Sequence, residues 1–203
     1  MMDKDEGNRR LPTNEDTIGP YFPIPFCDED RMDLTIHHQG LVFCPNGQRI
    51  ILRGRLLDRH GMAANGALIE FWQPNAAGVY RTPATVDHPD IDPWFDGYAR
   101  CRSANGTFAL KTIKPGRSSE GERAPNITVT IFSDGISRIV TQIFFEDEPS
   151  NERDPLLLSL PPELRTRLMA RHDGRQSDGT EVYVIDIIMA GDGETPFFDD
   201  LSS

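Results

Sequence analysis

Residues able to ligate a metal or move a proton are present in this chain, but their spacing scatters them. His37 and His38 are adjacent, so on a strand they face opposite ways. His60, His88 and His172 sit in turn-like stretches rich in Asp or Gly, where a solvated imidazole is the ordinary outcome. The run from Asp87 to Pro93 spaces Asp87, Asp90 and Asp92 closely enough for calcium, yet it lacks the glycine and closing glutamate of a dedicated calcium loop. Asn126 and Thr128 are two apart in a β-branched stretch, so they share one face while Ile127, Val129 and Ile131 take the other. That alternation is how a strand aims two donors at one ion, but a carboxamide and a hydroxyl are weak ligands beside imidazole. The plainer reading makes Asn126 and Thr128 partners for backbone groups, Tyr80 a half-buried packing residue and Arg123 a structural ion-pair partner. No Gly-x-Ser-x-Gly elbow or phosphate-binding Gly-Lys-Ser/Thr loop occurs, which leaves hydrolase and nucleotide chemistry without support.

The elements that must position these residues are short. Apolar, β-branched runs at 50–57, 68–72, 107–113, 127–132, 139–145 and 182–189 read as strands, separated by turns such as Asp58-Arg59-His60-Gly61. In 107–113 the pattern puts Phe108, Leu110 and Thr112 on one side. One short amphipathic helix is expected at 161–170, where paired prolines suit a helix start and Leu164 and Leu168 lie four apart. Many short strands with almost no helix give an all-β, two-sheet β-sandwich over 27–203. Residues 1–26 have no amphipathic period and read as an extended N-terminal arm, ordered only by contacts with the body or a partner.

Composition narrows the function classes. A net charge of −11 disfavours a nucleic-acid partner, because nothing would drive counterion release. The acidic start and the lack of any run of about eighteen apolar residues exclude a signal peptide and a membrane helix, so the expected compartment is the cytoplasm. Cys27, Cys44 and Cys101 are an odd, widely spaced set, read as reduced thiols rather than a disulfide framework.

Three segments carry a resemblance: Phe71-Trp72-Gln73-Pro74-Asn75-Ala76-Ala77-Gly78-Val79-Tyr80, Phe108-Ala109-Leu110-Lys111-Thr112-Ile113-Lys114-Pro115-Gly116 and Arg123-Ala124-Pro125-Asn126-Ile127-Thr128. Together they resemble the intradiol ring-cleaving dioxygenases, and the match runs from Thr17 to Phe198. Iron-bearing members hold ferric iron with two tyrosines and a His-x-His pair. The resemblance puts the first tyrosine at Tyr80, the second at Ser118 and the pair at Asn126 and Thr128. One ligand of four remains, which implies that this chain binds no iron. Thr17-Ile18-Gly19-Pro20-Tyr21 and Gly193-Glu194-Thr195-Pro196-Phe197-Phe198-Asp199 resemble the terminal features of one branch, the alpha type of the protocatechuate 3,4-dioxygenases. That branch implies a hetero-oligomer in which a homologous beta subunit holds Fe(III) and protocatechuate reacts with O2 to give 3-carboxy-cis,cis-muconate, a step of aromatic catabolism. It also implies that Thr17, Gly19, Pro20 and Tyr21 lie beside the substrate. Three features depart from the pattern. Asp134 stands where the branch has arginine before Gly135, leaving Arg138 as the nearby cation for an anionic aromatic acid. Gln142 fits the iron-bearing type at least as well, and the loop 116–123 is shorter than in that type.

Two rivals stay open on the sequence alone. A self-sufficient dioxygenase would need two or three convergent His, Tyr or carboxylate side chains, and spacing offers none. A stand-alone transthyretin-like β-sandwich binding module would need no catalytic partner.

Overall fold

The computed structural model describes residues 29–36, 45–118, 122–133 and 137–199. Among them eight strands form: β1 (Arg49–Leu57), β2 (Leu68–Trp72), β3 (Tyr98–Arg102), β4 (Thr107–Ile113), β5 (Asn126–Ser133), β6 (Ser137–Phe145), β7 (Met169–Arg175) and β8 (Glu181–Ile188). Alternation of buried apolar and outward polar residues produces each of the well-packed ones, as in β4, where Phe108, Leu110 and Thr112 are all buried. The hydrogen-bonded order is β3-β2-β5-β6-β7-β8-β1-β4.

Two layers result. β4, β1, β8 and β7 make one, with β1 and β8 parallel, and β3, β2, β5 and β6 make the antiparallel other. β7 joins them: Met169 and Ala170 pair with Phe144 and Phe145 of β6, and from Arg171 onward the strand pairs with β8. The inner faces close on one core that includes Leu52, Leu56, Ile69, Phe71, Ile127, Val129, Ile131, Phe145, Tyr183 and Ile187. This is the all-β sandwich expected from the sequence. At the open edge, Leu34 N donates to Lys111 O at 2.8 Å, and Met32 and Leu34 pack on the core beside β3 and β4.

The helix expected at 161–170 is present in shortened form, as α2 (Pro162–Arg165) continued by the 3-10 turn Thr166–Leu168. Met169 and Ala170 are taken by pairing with β6 instead. A further helical turn, α1 (Pro155–Ser159), begins at Asp154, whose carboxylate accepts from Leu156 N and Leu157 N at 2.9 and 3.1 Å. Proline at the first helical position and an aspartate cap are the ordinary start signals, and Asp154-Pro155 carries both. β3 and β7 were not foreseen, because β3 offers only Ala99 and Cys101 between exposed or half-buried polar residues and β7 buries only Ala170.

Candidate functional site

The site is framed by two turns knitted together by side chains of the recognisable segments. Gln73 Nε2 donates to Ile113 O at 3.0 Å, while its Oε1 accepts from the Thr112 hydroxyl at 2.8 Å. Asn75 Oδ1 accepts from Ala77 N and Val79 N, and its Nδ2 donates to Asp90 O. Gly116 N donates to Asn75 O at 2.9 Å. The approach is close enough to require glycine twice. A Cβ on Gly78, whose φ is +80°, would lie 1.6 Å from Arg117 O, and one on Gly116 would lie 2.2 Å from Ala76 O. The turn that ends at Tyr80 is therefore pressed against the backbone of Arg117 and Ser118.

Lys114 fastens the second turn to the body. Its Nζ lies 3.0 Å from Asp147 and 2.8 Å from Glu148, and 3.3 Å from the Tyr183 hydroxyl, which itself donates to Asp147 at 2.8 Å. Burial disfavours the ammonium, but its bonds to Glu148, Asp147 and Tyr183 outweigh that and raise its pKa. Burial and the bond to Asp147 push the Tyr183 phenol up to about 12.

Above this frame, register aligns Tyr98, Trp72, Thr128 and Gln142 in one row across β3, β2, β5 and β6. Tyr80 stacks on Trp72, with ring centroids 5.6 Å apart. The polar groups form a continuous relay. Asp154, fully buried, accepts from Arg123 Nε at 3.0 Å and from Ala124 N at 2.8 Å. The same guanidinium donates to Gln142 Oε1. Gln142 Nε2 donates to Thr128 Oγ1 at 3.3 Å, and Thr128 lies close enough to the Tyr80 phenol to lower its pKa. Burial raises the Tyr80 pKa, opposed by the Arg123 charge and the Thr128 bond.

Ferric iron would be poorly served by these side chains. It needs anionic and imidazole donors, whereas Thr128 offers a hydroxyl already engaged by Gln142 and Ser118 carries no phenolate. Asn126 is buried, its Nδ2 donating to Ala124 O at 2.7 Å, and its Oδ1 has no hydrogen-bond partner among the described residues. A carboxamide oxygen so enclosed is no substitute for an accessible imidazole. Ser118 N donates to Arg123 O at 3.1 Å, and Asn126 and Thr128 lie two apart on β5.

Other expectations fall elsewhere. Arg138 is exposed and opposite Phe132, four residue pairs along the β5–β6 ladder from Thr128, so the structure does not bring it to Tyr80. Thr17, Gly19, Pro20, Tyr21 and Asp134 lie outside the described residues, as do Cys27 and Cys44. Asp92 is buried and accepts from Asn46 N and Trp94 N, a loop-closing role rather than a calcium one. Among the described residues no three His, Cys, Asp or Glu side chains converge. Sequence reasoning missed Asp154, whose Asp-Pro start signal was legible, and its link to Arg123, which was not.

Comparison with known proteins agrees with this scaffold. A family model described as Dioxygenase matches residues 18–191. The protocatechuate 3,4-dioxygenase alpha chain of Burkholderia cepacia is 36% identical over 196 residues, covering 92% of this chain and 96% of the relative. The chain belongs to the intradiol dioxygenase family. The corresponding beta chain of the same organism is 35% identical over 161 residues, 75% of this chain and 68% of that one. Among solved structures, an intradiol ring-cleavage dioxygenase from Tetranychus urticae superposes with a TM-score of 0.59 at 21% identity, covering 84% of this chain and 90% of the other, which shows the shared fold.

Proposed function

We propose that this chain is the iron-free, alpha-type subunit of a ferric intradiol dioxygenase that cleaves protocatechuate with O2 to 3-carboxy-cis,cis-muconate. In that reaction the bond between the two hydroxyl-bearing ring carbons breaks and both oxygen atoms enter the product. The Fe(III) would be held by a homologous beta subunit and would supply the activation of substrate towards dioxygen. The observation that carries the reading is the hydrogen-bonded chain Asp154–Arg123–Gln142–Thr128 beside Tyr80, where the resemblance expects a metal. Similarity to both alpha and beta chains of protocatechuate 3,4-dioxygenase supports a paired assembly.

On this reading the chain's contribution is steric and positional. Thr17, Gly19, Pro20 and Tyr21 would wall the partner's pocket, with glycine letting backbone approach the ring, and Arg138 would offer a cation to the substrate carboxylate. Such positioning matters to rate, since a displacement of about 1 Å can cost about a hundredfold. The test is kinetic, in the assembled enzyme. Gly19→Val and Tyr21→Ala should raise KM or lower kcat while iron content stays constant. A lower melting temperature with unchanged kinetics would refute the pocket role.

A further inference from the structure

The outer face of the β3-β2-β5-β6 layer carries a second feature that the relay does not use. Trp72 and Tyr98 are register partners with ring centroids 6.4 Å apart, tilted by 59°. With Pro83 and Val86 they line an open cleft of about 480 Å3, whose polar lining is Arg31, Arg81, Thr82 and Asp96. Val86 is 61% exposed, unusual for a large aliphatic side chain. Arg81 already donates to Pro93 O at 2.7 Å and to Asp96 Oδ1 at 2.9 Å, so its charge is matched. Arg81 and Asp96 offset each other, leaving Arg31 as the net lining charge, and the two aromatics suit an uncharged, largely apolar occupant.

The chain enters the described structure at this cleft, through the 3-10 turn Glu29–Met32 that contains Arg31. Just upstream, Pro20-Tyr21-Phe22-Pro23-Ile24-Pro25-Phe26 holds three aromatics, three prolines and an isoleucine, with no charge. Proline at alternate positions favours the extended polyproline conformation, which aromatic-lined grooves accept at low entropic cost. Arg31 lies five positions beyond Phe26, a reach of at most about 17 Å. A segment tethered so closely has an effective concentration of order millimolar, which favours it over a second copy of a chain carrying a charge of −11. We propose that residues 22–26 of this same chain dock in the Trp72–Tyr98 cleft and anchor the base of the arm. The anchor stands independently of the pocket role proposed for Thr17 to Tyr21, although it would give that tip a fixed point of departure.

Cross-linking in the full-length chain tests this. Cys27, Cys44 and Cys101 are first replaced by Ser, Ser and Ala, and Val86→Cys is combined in turn with Phe22→Cys, Ile24→Cys or Phe26→Cys. Mild oxidation should give an intrachain disulfide in at least one pair, since bridging requires Cα atoms within about 7 Å. Absence of an intrachain bridge in all three, or bridges formed only between chains, would overturn the proposal. A second measurement keeps the native cysteines. Phe26→Ser should speed amide exchange in β3 by roughly two- to tenfold, the factor set by loss of one aromatic contact. Unchanged exchange would also overturn it. Neither readout involves a partner subunit or turnover, so failure here leaves the pocket role untouched.

Discussion

The two faces of β5 have been held to different standards. On the inner face Ile127, Val129 and Ile131 are fully buried in the core between the layers, packed among the side chains of both sheets. On the outer face Asn126, Thr128 and Thr130 meet a mixed set of polar and aromatic groups from β2, β6 and the loops. Any change of shape inside opens a cavity or forces an overlap, because interiors pack at near-crystalline density. Outside, a polar side chain can be exchanged for another provided each buried donor and acceptor finds a partner. The intradiol fold therefore persists through the inner face while the chemistry of the outer face is free to differ.

That contrast can be broken experimentally. Ile131→Ala should cost the most, about 2–5 kcal/mol by denaturant titration, because the β2 and β5 scaffold cannot fully collapse into the space. A cost below about 1 kcal/mol would show the inner face to be more tolerant than claimed. Asp154→Ala should come next, at about 3 kcal/mol, since it removes a helix cap, the Ala124 amide's acceptor and Arg123's charged partner together. Gln142→Leu should cost only about 1 kcal/mol, because Arg123 is partly exposed and water can replace the lost acceptor. If it cost as much as Ile131→Ala, the outer face would be as constrained as the inner one.

The smallest effect is in the alkaline range. Tyr98 is pushed up to about 12 by burial and its bond to Glu70, Tyr183 likewise by burial and Asp147, and the Tyr80 and Lys114 values are raised. These groups hold their protons more tightly folded than unfolded. Their stabilising contribution is complete below pH 10, near the ordinary tyrosine value, and is lost as pH rises through 12. Tyr183→Phe should make the fall of unfolding free energy above pH 10 shallower, and an unaltered slope would contradict the assignment.

Six of the eight strands were legible from alternation and β-branching, because their inner faces carry strongly apolar residues such as Leu52, Phe71 and Ile143. β7 was not, since Arg171 to Arg175 is exposed and its pairing comes from neighbours on both sides rather than from its own pattern. The outer-face geometry of Asn126 and Thr128 followed from period two alone. What they contact did not, because the relay joins residues as far apart as Arg123 and Asp154, and only the sheet register brings Thr128 beside Gln142. Arg123 was read as an ion-pair partner, which its bond to Asp154 bears out, but its second link through Gln142 depends on β6 lying next to β5.

The central claim, that this chain keeps the intradiol scaffold while its partner keeps the iron, is tested most directly by iron content. The chain should be purified alone and then together with a homologous subunit bearing the two tyrosines and the His-x-His pair, with iron, visible absorption and oxygen uptake measured on each. The chain alone should be colourless, without stoichiometric iron and without protocatechuate-dependent oxygen uptake. The pair should hold one iron for each two chains and consume oxygen. One tightly bound iron per chain in the isolated protein, with a tyrosinate-to-iron charge-transfer band, would contradict the account.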